Sequence, residues 1–303
     1  MLVSFLHFPI IVFGDNVYSL ISGVILDDSV VITSRTCFSA INDRYELLRD
    51  VEPNRILLRK LMVTVPSRKV SYGYFIGSKY YTPSKLLAEQ YYRVFWRKGK
   101  PDDRWLMEHS EQYYVFDITA NEVAYLSFEL LNSEGRIIVD KVKGINVVKK
   151  KIYGKYEEYT YDRLIVTVPA YEFLSLAGIE KEKYKFFSAK TNVFLVPYTD
   201  IPARIREKLE ELDYAYIIGN SPLPFFRLSN SGRLVLGETF DFFPEKYVYC
   251  WENRNGFIVS SKWKPEQFEV LNIYFVGREA KFQHYYRIYD AVAELVEIQE
   301  KIS

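Results

Sequence analysis

The sequence predicts a mixed α/β fold that opens on a β-α-β unit. Two stretches at opposite ends of the chain and one shared pattern carry that reading. Near the N-terminus, Pro9-Ile-Ile-Val-Phe13 is an apolar strand, Gly14 opens a turn, and Val17–Leu26 reads as a helix. After the Asp27-Asp28 turn, Ser29–Thr33 forms a second strand, which completes a β-α-β unit of about thirty residues. Near the C-terminus, Ile273–Val276 is a short apolar strand ending at Gly277. Ala291, Val292, Leu295, Val296 and Ile298 then repeat at helical spacing. A strand, a glycine and a helix N-terminus make a place where backbone approaches an anion closely, although an ordinary strand-loop-helix ending has the same pattern. The shared pattern is a continuous apolar run without alternation, in Ile10–Phe13, Val30–Thr33, Leu164–Val168 and Ile273–Val276. Strands covered on both faces read this way, so these four are expected in one sheet.

Composition narrows the functional classes. With 49% hydrophobic residues, 303 residues bury a substantial core. A net charge of +1 gives no bulk attraction to nucleic acid or to an anionic membrane, so neither is an expected partner. Cys37 and Cys250 lack metal-ligand spacing and the three histidines are scattered, so no metal site is expected. The apolar start Met1–Phe13 has no basic n-region and is too short to span a bilayer. A buried first strand and a cytoplasmic protein are the expectation. The 26 tyrosines are expected mostly in core and interface packing.

Between the two ends the chain reads as follows. Residues 41–110 form a mixed insertion: Leu57–Val65 is strand-like, and Val70–Tyr80 is a hairpin with Gly73 and Gly77. Ser84 caps a helix whose apolar side is Leu86, Leu87, Tyr91, Val94 and Phe95, and Arg97–Arg104 is a charged turn. Tyr113–Ile118, Ala124–Leu131, Arg136–Val148 and Lys151–Thr160 read as strands. Tyr171–Ala177 reads as a short helix and Ile201–Leu212 as a charged one. Strands are expected at Lys190–Val196, Tyr214–Ile218, Leu223–Ser229, Leu234–Thr239 and Phe257–Ser260.

Four places, taken in order, resemble a known family: Ile10–Ile32, Tyr161-Asp-Arg-Leu-Ile-Val-Thr-Val-Pro169, Pro224-Phe-Phe-Arg227-Leu-Ser229 and Asn272–Leu295. The family is that of the two-domain FAD-dependent amine oxidases, protoporphyrinogen oxidases and UDP-galactopyranose mutases. The resemblance implies a Rossmann-like FAD/NAD(P)-binding domain interleaved with a mixed α+β substrate domain. Residues 1–40, 112–178 and 270–303 would make the first, and 41–111 and 179–269 the second. It places FAD against Gly14, Asn16, Ser19, Ser34, Gly277, Arg278 and Tyr286, and substrate near Arg227.

The chain departs from that family's pattern where the cofactor would lie. Gly-x-Gly-x-x-Gly is met by Gly14, Asn16 and Ser19, and the acidic residue that bonds the ribose is replaced by Ser34, with Arg35 beside it. Thr36–Ala40 holds no glycine, and Tyr286 stands where the family has an amide or carboxylate. No nucleophile elbow, paired-carboxylate or metal signature accompanies these residues. Two readings of function follow. One is an FAD-dependent oxidoreductase or mutase-like flavoprotein acting on an unknown small molecule, such as a nucleotide-sugar or an amine. The other is a non-catalytic descendant that has lost tight FAD binding and serves as a binding or assembly subunit, in a homo- or hetero-oligomer. A flavin-free nucleotide-sugar or NAD(P)H binder is a third, for which Arg35 is the support.

Overall fold

The computed structural model describes residues 5–35, 46–95, 103–230, 234–240 and 244–302. Thr36–Ala40, most of the Arg97–Arg104 turn and Met1–Ser4 lie outside them, as does the Phe95 side chain.

Five strands run parallel in the first sheet. Across the sheet they lie in the order Ile137–Val139, Ser29–Thr33, Phe5–Phe13, Glu158–Val166 and Ile273–Phe275. Numbered along the chain, that is 3-2-1-4-5, the order of a dinucleotide-binding sheet. The four apolar runs therefore share one sheet. Lys151–Tyr153 and Gly144–Asn146 extend it antiparallel from the start of Glu158–Val166. Helices Val17–Ile25, Ala120–Ser133 and Ile288–Ile302 cover one face through Leu20, Ile21, Val24, Val123, Leu131, Val292 and Leu295. Phe173, Trp263, Phe268 and Phe275 pack edge-on against one another on the other face. Gly23 lets the first helix pack tightly, since a Cβ there would lie 2.7 Å from Val31 of the sheet and 2.8 Å from Leu131 of the neighbouring helix.

Two expected strands are helices. Ala124–Leu131 lies inside Ala120–Ser133, because Thr119 and Glu122 form a capping box that turns the chain directly out of strand Tyr114–Thr119. Its buried residues Val123, Ala124, Ser127 and Leu131 have helical rather than alternating spacing. Leu57–Val65 begins inside helix Glu52–Lys60, which carries Pro53 in its first turn and buries Leu57 and Leu58 on one side. Arg136–Val148 is not one strand but two short ones. In helix Lys85–Phe95 the buried face is Leu87, Ala88, Tyr91 and Tyr92, while Leu86 and Val94 are exposed.

A second, seven-stranded sheet is mostly antiparallel. Its order is Val248–Ser260, Phe187–Val196, Val235–Thr239, Arg227–Asn230, Tyr214–Ile218, Tyr72–Ile76 and Lys79–Tyr81. A small three-stranded sheet of Leu47–Arg49, Tyr114–Thr119 and Ser67–Lys69 stands beside it. Much of the tyrosine richness is spent here: Tyr72, Tyr74, Tyr91, Tyr92, Tyr214 and Tyr216 share one buried cluster. No described helix is long and apolar enough to cross a membrane, and no group of three metal-ligating side chains occurs among the described residues.

Candidate functional site

The resemblance directs attention first to the carboxyl ends of the parallel strands. In sheets of this order ligands bind where the strand order reverses, here between Phe5–Phe13 and Glu158–Val166. Gly14, Asn16, Ser19 and Ser34 do come together there, and they are joined by residues the motif does not include. Asn16 caps the first helix: its Oδ1 accepts from Ser19 N at 3.2 Å, and Ser19 Oγ donates to Asn16 O at 2.6 Å. Asn16 Nδ2 donates to Thr167 O at 2.7 Å, across the switch point. A Cβ on Gly14 would lie 1.9 Å from Thr167 Oγ1, so only glycine fits.

Asp15 closes the other side. Its carboxylate accepts from Thr33 Oγ1 at 2.6 Å, Ser34 N at 2.7 Å and Ser34 Oγ at 2.6 Å. Arg35 N donates to Thr33 Oγ1 at 3.2 Å. The hydroxyl in the ribose-binding position thus already serves Asp15, and a negative charge sits one residue before the helix cap.

The C-terminal candidates surround a tyrosine. Gly277 has φ 109°, and a Cβ there would lie 2.9 Å from the ring of Tyr18. The Tyr18 hydroxyl donates to Tyr286 O at 3.4 Å, and the Tyr286 hydroxyl donates to Glu294 at 2.6 Å. Burial pushes the Tyr286 hydroxyl up in pKa, with Glu294 adding to it, so it remains a donor. Arg278 Nη2 donates to His284 Nδ1 at 2.9 Å, turned toward a side chain of its own segment. The test of fit is the donor set. With Asn16 as helix cap, Asp15 on Ser34, and Tyr18 against Gly277, the residues present do not fit FAD.

Arg227 lies apart from this group and lines a chamber of about 80 Å³ beside the second sheet. Arg227 Nη1 is 3.4 Å from Glu238 Oε1 on the adjacent strand, and its guanidinium lies 4.7 Å from the centre of the Tyr214 ring. Two more guanidiniums reach the chamber. Arg287 Nη2 meets Glu108 Oε2 at 2.9 Å, and Arg49 Nη2 meets Glu108 Oε1 at 3.5 Å with its head 4.0 Å over Tyr113. His109 stacks on Trp105 at 3.9 Å, and its Nδ1–H donates to Trp105 O at 2.9 Å.

Charges here are fixed. Burial opposes the ionisation of Glu108, but Arg287 and Arg49 outweigh it and hold the carboxyl at about 2. Burial pushes the His109 imidazole down to about 3, so it is neutral, and pushes the hydroxyls of Tyr113, Tyr214 and Tyr216 up. Each of these groups is moved away from neutral pH. The chamber therefore offers fixed donors and charges rather than a group poised to exchange protons.

Sequence reasoning found Arg227 but not Arg287, Arg49, Glu108 or His109. Arg287 falls in the segment that aligns with the flavin motif, which drew attention to its neighbour Tyr286 instead. Glu108 and His109 follow Trp105 on helix Asp103–Ser110, and a carboxylate beside an aromatic on an apolar face was the available signal.

Solved structures similar over nearly the whole chain settle the architecture. A reduced UDP-galactopyranose mutase is 11% identical with a TM-score of 0.64, over 97% of this chain and 95% of its own. The chain shares its fold with this structure. A putrescine oxidase bound to putrescine is 9% identical, with a TM-score of 0.62 over 99% of each chain. A fatty acid isomerase from P. acnes, described as producing CLA, is 10% identical, with a TM-score of 0.62 over 97% of this chain and 98% of its own. No protein-family model and no curated protein matches the sequence. At these identities the fold is what the chain shares with them.

Proposed function

We propose that the protein is a flavin-free descendant of this fold that binds a small hydroxylated carboxylate in the Arg227–Arg287 chamber. This reading takes the residue partition expected from sequence, with 41–111 and 179–269 supplying most of the chamber and 270–303 supplying His284 and Arg287. It favours the binding-subunit alternative over the flavoenzyme. The observation that carries it is geometric: the guanidiniums of Arg49, Arg227 and Arg287 and the side chains of Tyr113, Tyr214 and Tyr216 line one small chamber.

Ligand class follows from the donors. Guanidiniums match carboxylates in a bidentate fork, and tyrosine hydroxyls match hydroxyl groups. Size follows from the cavity: about 80 Å³ suits a ligand of a few non-hydrogen atoms. An isoalloxazine ring is far larger than that. Isothermal titration with lactate and glycerate, against glycerol as the neutral control, tests the reading. Binding of the acids alone, weakened at least tenfold in Arg227→Lys, supports it; equal or absent binding of all three rejects it.

A further inference from the structure

We propose that Asp15 is an internal substitute for a dinucleotide, and that it holds the nucleotide seat of this fold shut. The seat lies at the switch point between strands Phe5–Phe13 and Glu158–Val166, and the loops on both sides of it are stitched together by side chains of one turn. Asn16 Nδ2 ties the turn to Thr167 O at 2.7 Å on one side. Asp15 ties it to the end of Ser29–Thr33 on the other, through three contacts of 2.6–2.7 Å to Thr33 and Ser34.

Both contacts use the groups a dinucleotide needs. The end of the second strand is where a ribose hydroxyl is bound, and there Ser34 gives its N–H and its hydroxyl to Asp15. A helix N-terminus attracts a pyrophosphate, and here it is capped by Asn16 and preceded by a carboxylate that repels one. Like charges in one site disfavour each other strongly once water is excluded. Asp15 thus does two things a ligand would do: it neutralises the donors at the strand end, and it links two loops that a bound nucleotide would otherwise bridge. The inference rests on the flavin-free half of the proposed function and not on the chamber, whose ligand binding is read separately with lactate and glycerate.

Equilibrium titration with FAD and with ADP, followed by flavin fluorescence and by calorimetry, tests it in the full chain. Three proteins are compared: the wild type, Asp15→Gly with Asn16→Gly, and Asp15→Asn, with circular dichroism confirming the fold of each. We expect no saturable FAD or ADP binding by the wild type at 100-fold excess over a micromolar protein concentration, and at least tenfold tighter binding in the double variant. Asp15→Asn removes the charge while keeping an oxygen acceptor, and should show a smaller gain. It carries the test if the double variant does not fold. Tight FAD binding by the wild type overturns the proposal. So does a folded variant that binds no better than the wild type.

Discussion

Arg227 and Glu238 face each other at one register position of two antiparallel strands, with Nη1 and Oε1 3.4 Å apart, Glu238 buried and the Arg227 side chain 14% exposed. Burial opposes the charge on Arg227 and Glu238 outweighs it, so the guanidinium is held firmly ionised. Both line the chamber, so the pair places a guanidinium and its counter-ion there and ties them to the second sheet.

Removing one partner leaves a buried charge without its counter-ion. We expect Arg227→Met to destabilise the protein by about 3–5 kcal/mol. Arg227→Met with Glu238→Met should recover most of that loss. Denaturant unfolding of the three proteins checks it; a single variant as stable as the wild type would show the pair to be dispensable.

Stability should fall in acid in two overlapping steps. His109 is held at about 3 against an ordinary 6.5, so its contribution is complete above about pH 6.5 and is lost as pH falls toward 3. Glu108 is held at about 2 against 4.5, so its contribution is complete above 4.5 and is lost as pH falls toward 2. Melting temperature measured from pH 7 to 3 should drop throughout, and His109→Gln should flatten the part between 6.5 and 4.5. An unchanged slope in that variant would contradict the buried neutral imidazole.

Gly14→Ala should cost about 1–3 kcal/mol, because the new Cβ would meet Thr167 Oγ1 at 1.9 Å. Thr167→Ala clears that space at the cost of the hydrogen bond to Phe13 O at 3.0 Å. The double variant should therefore lose less than the two single losses added. Strict additivity in thermal unfolding would show that the two loops do not meet.

Tyr286→Phe removes the 2.6 Å hydrogen bond to Glu294, which keeps Lys281 at 2.8 Å as a second partner. The expected cost is about 1 kcal/mol, with lactate affinity unchanged. A loss of ligand binding without a loss of stability would move Tyr286 into the binding site.

The parallel sheet was legible because its strands are buried on both faces and so carry unbroken apolar runs, as in Ile10–Phe13 and Ile273–Val276. Helix Ala120–Ser133 was missed although Thr119-x-x-Glu122 spells its cap, since the aromatic and aliphatic residues after it also suit a strand. Motif spacing singled out Gly14, Asn16, Ser19 and Ser34, which lie near one another in the fold. What joins them was not legible, because Asp15 meets Ser34, and Thr167 meets Asn16, only where separate strands pair. The chamber was hardest to read. Arg49, Glu108, Arg227 and Arg287 come from four separate segments, and no local pattern records that they converge.

A crystal structure of the protein, expressed with riboflavin supplementation and grown in lactate, tests the account most directly. We expect lactate in the chamber with its carboxylate on Arg227 and Arg287, and the Asp15 carboxylate still on Ser34. Flavin along Gly14 and Gly277, with Asp15 turned away from Ser34, would contradict it.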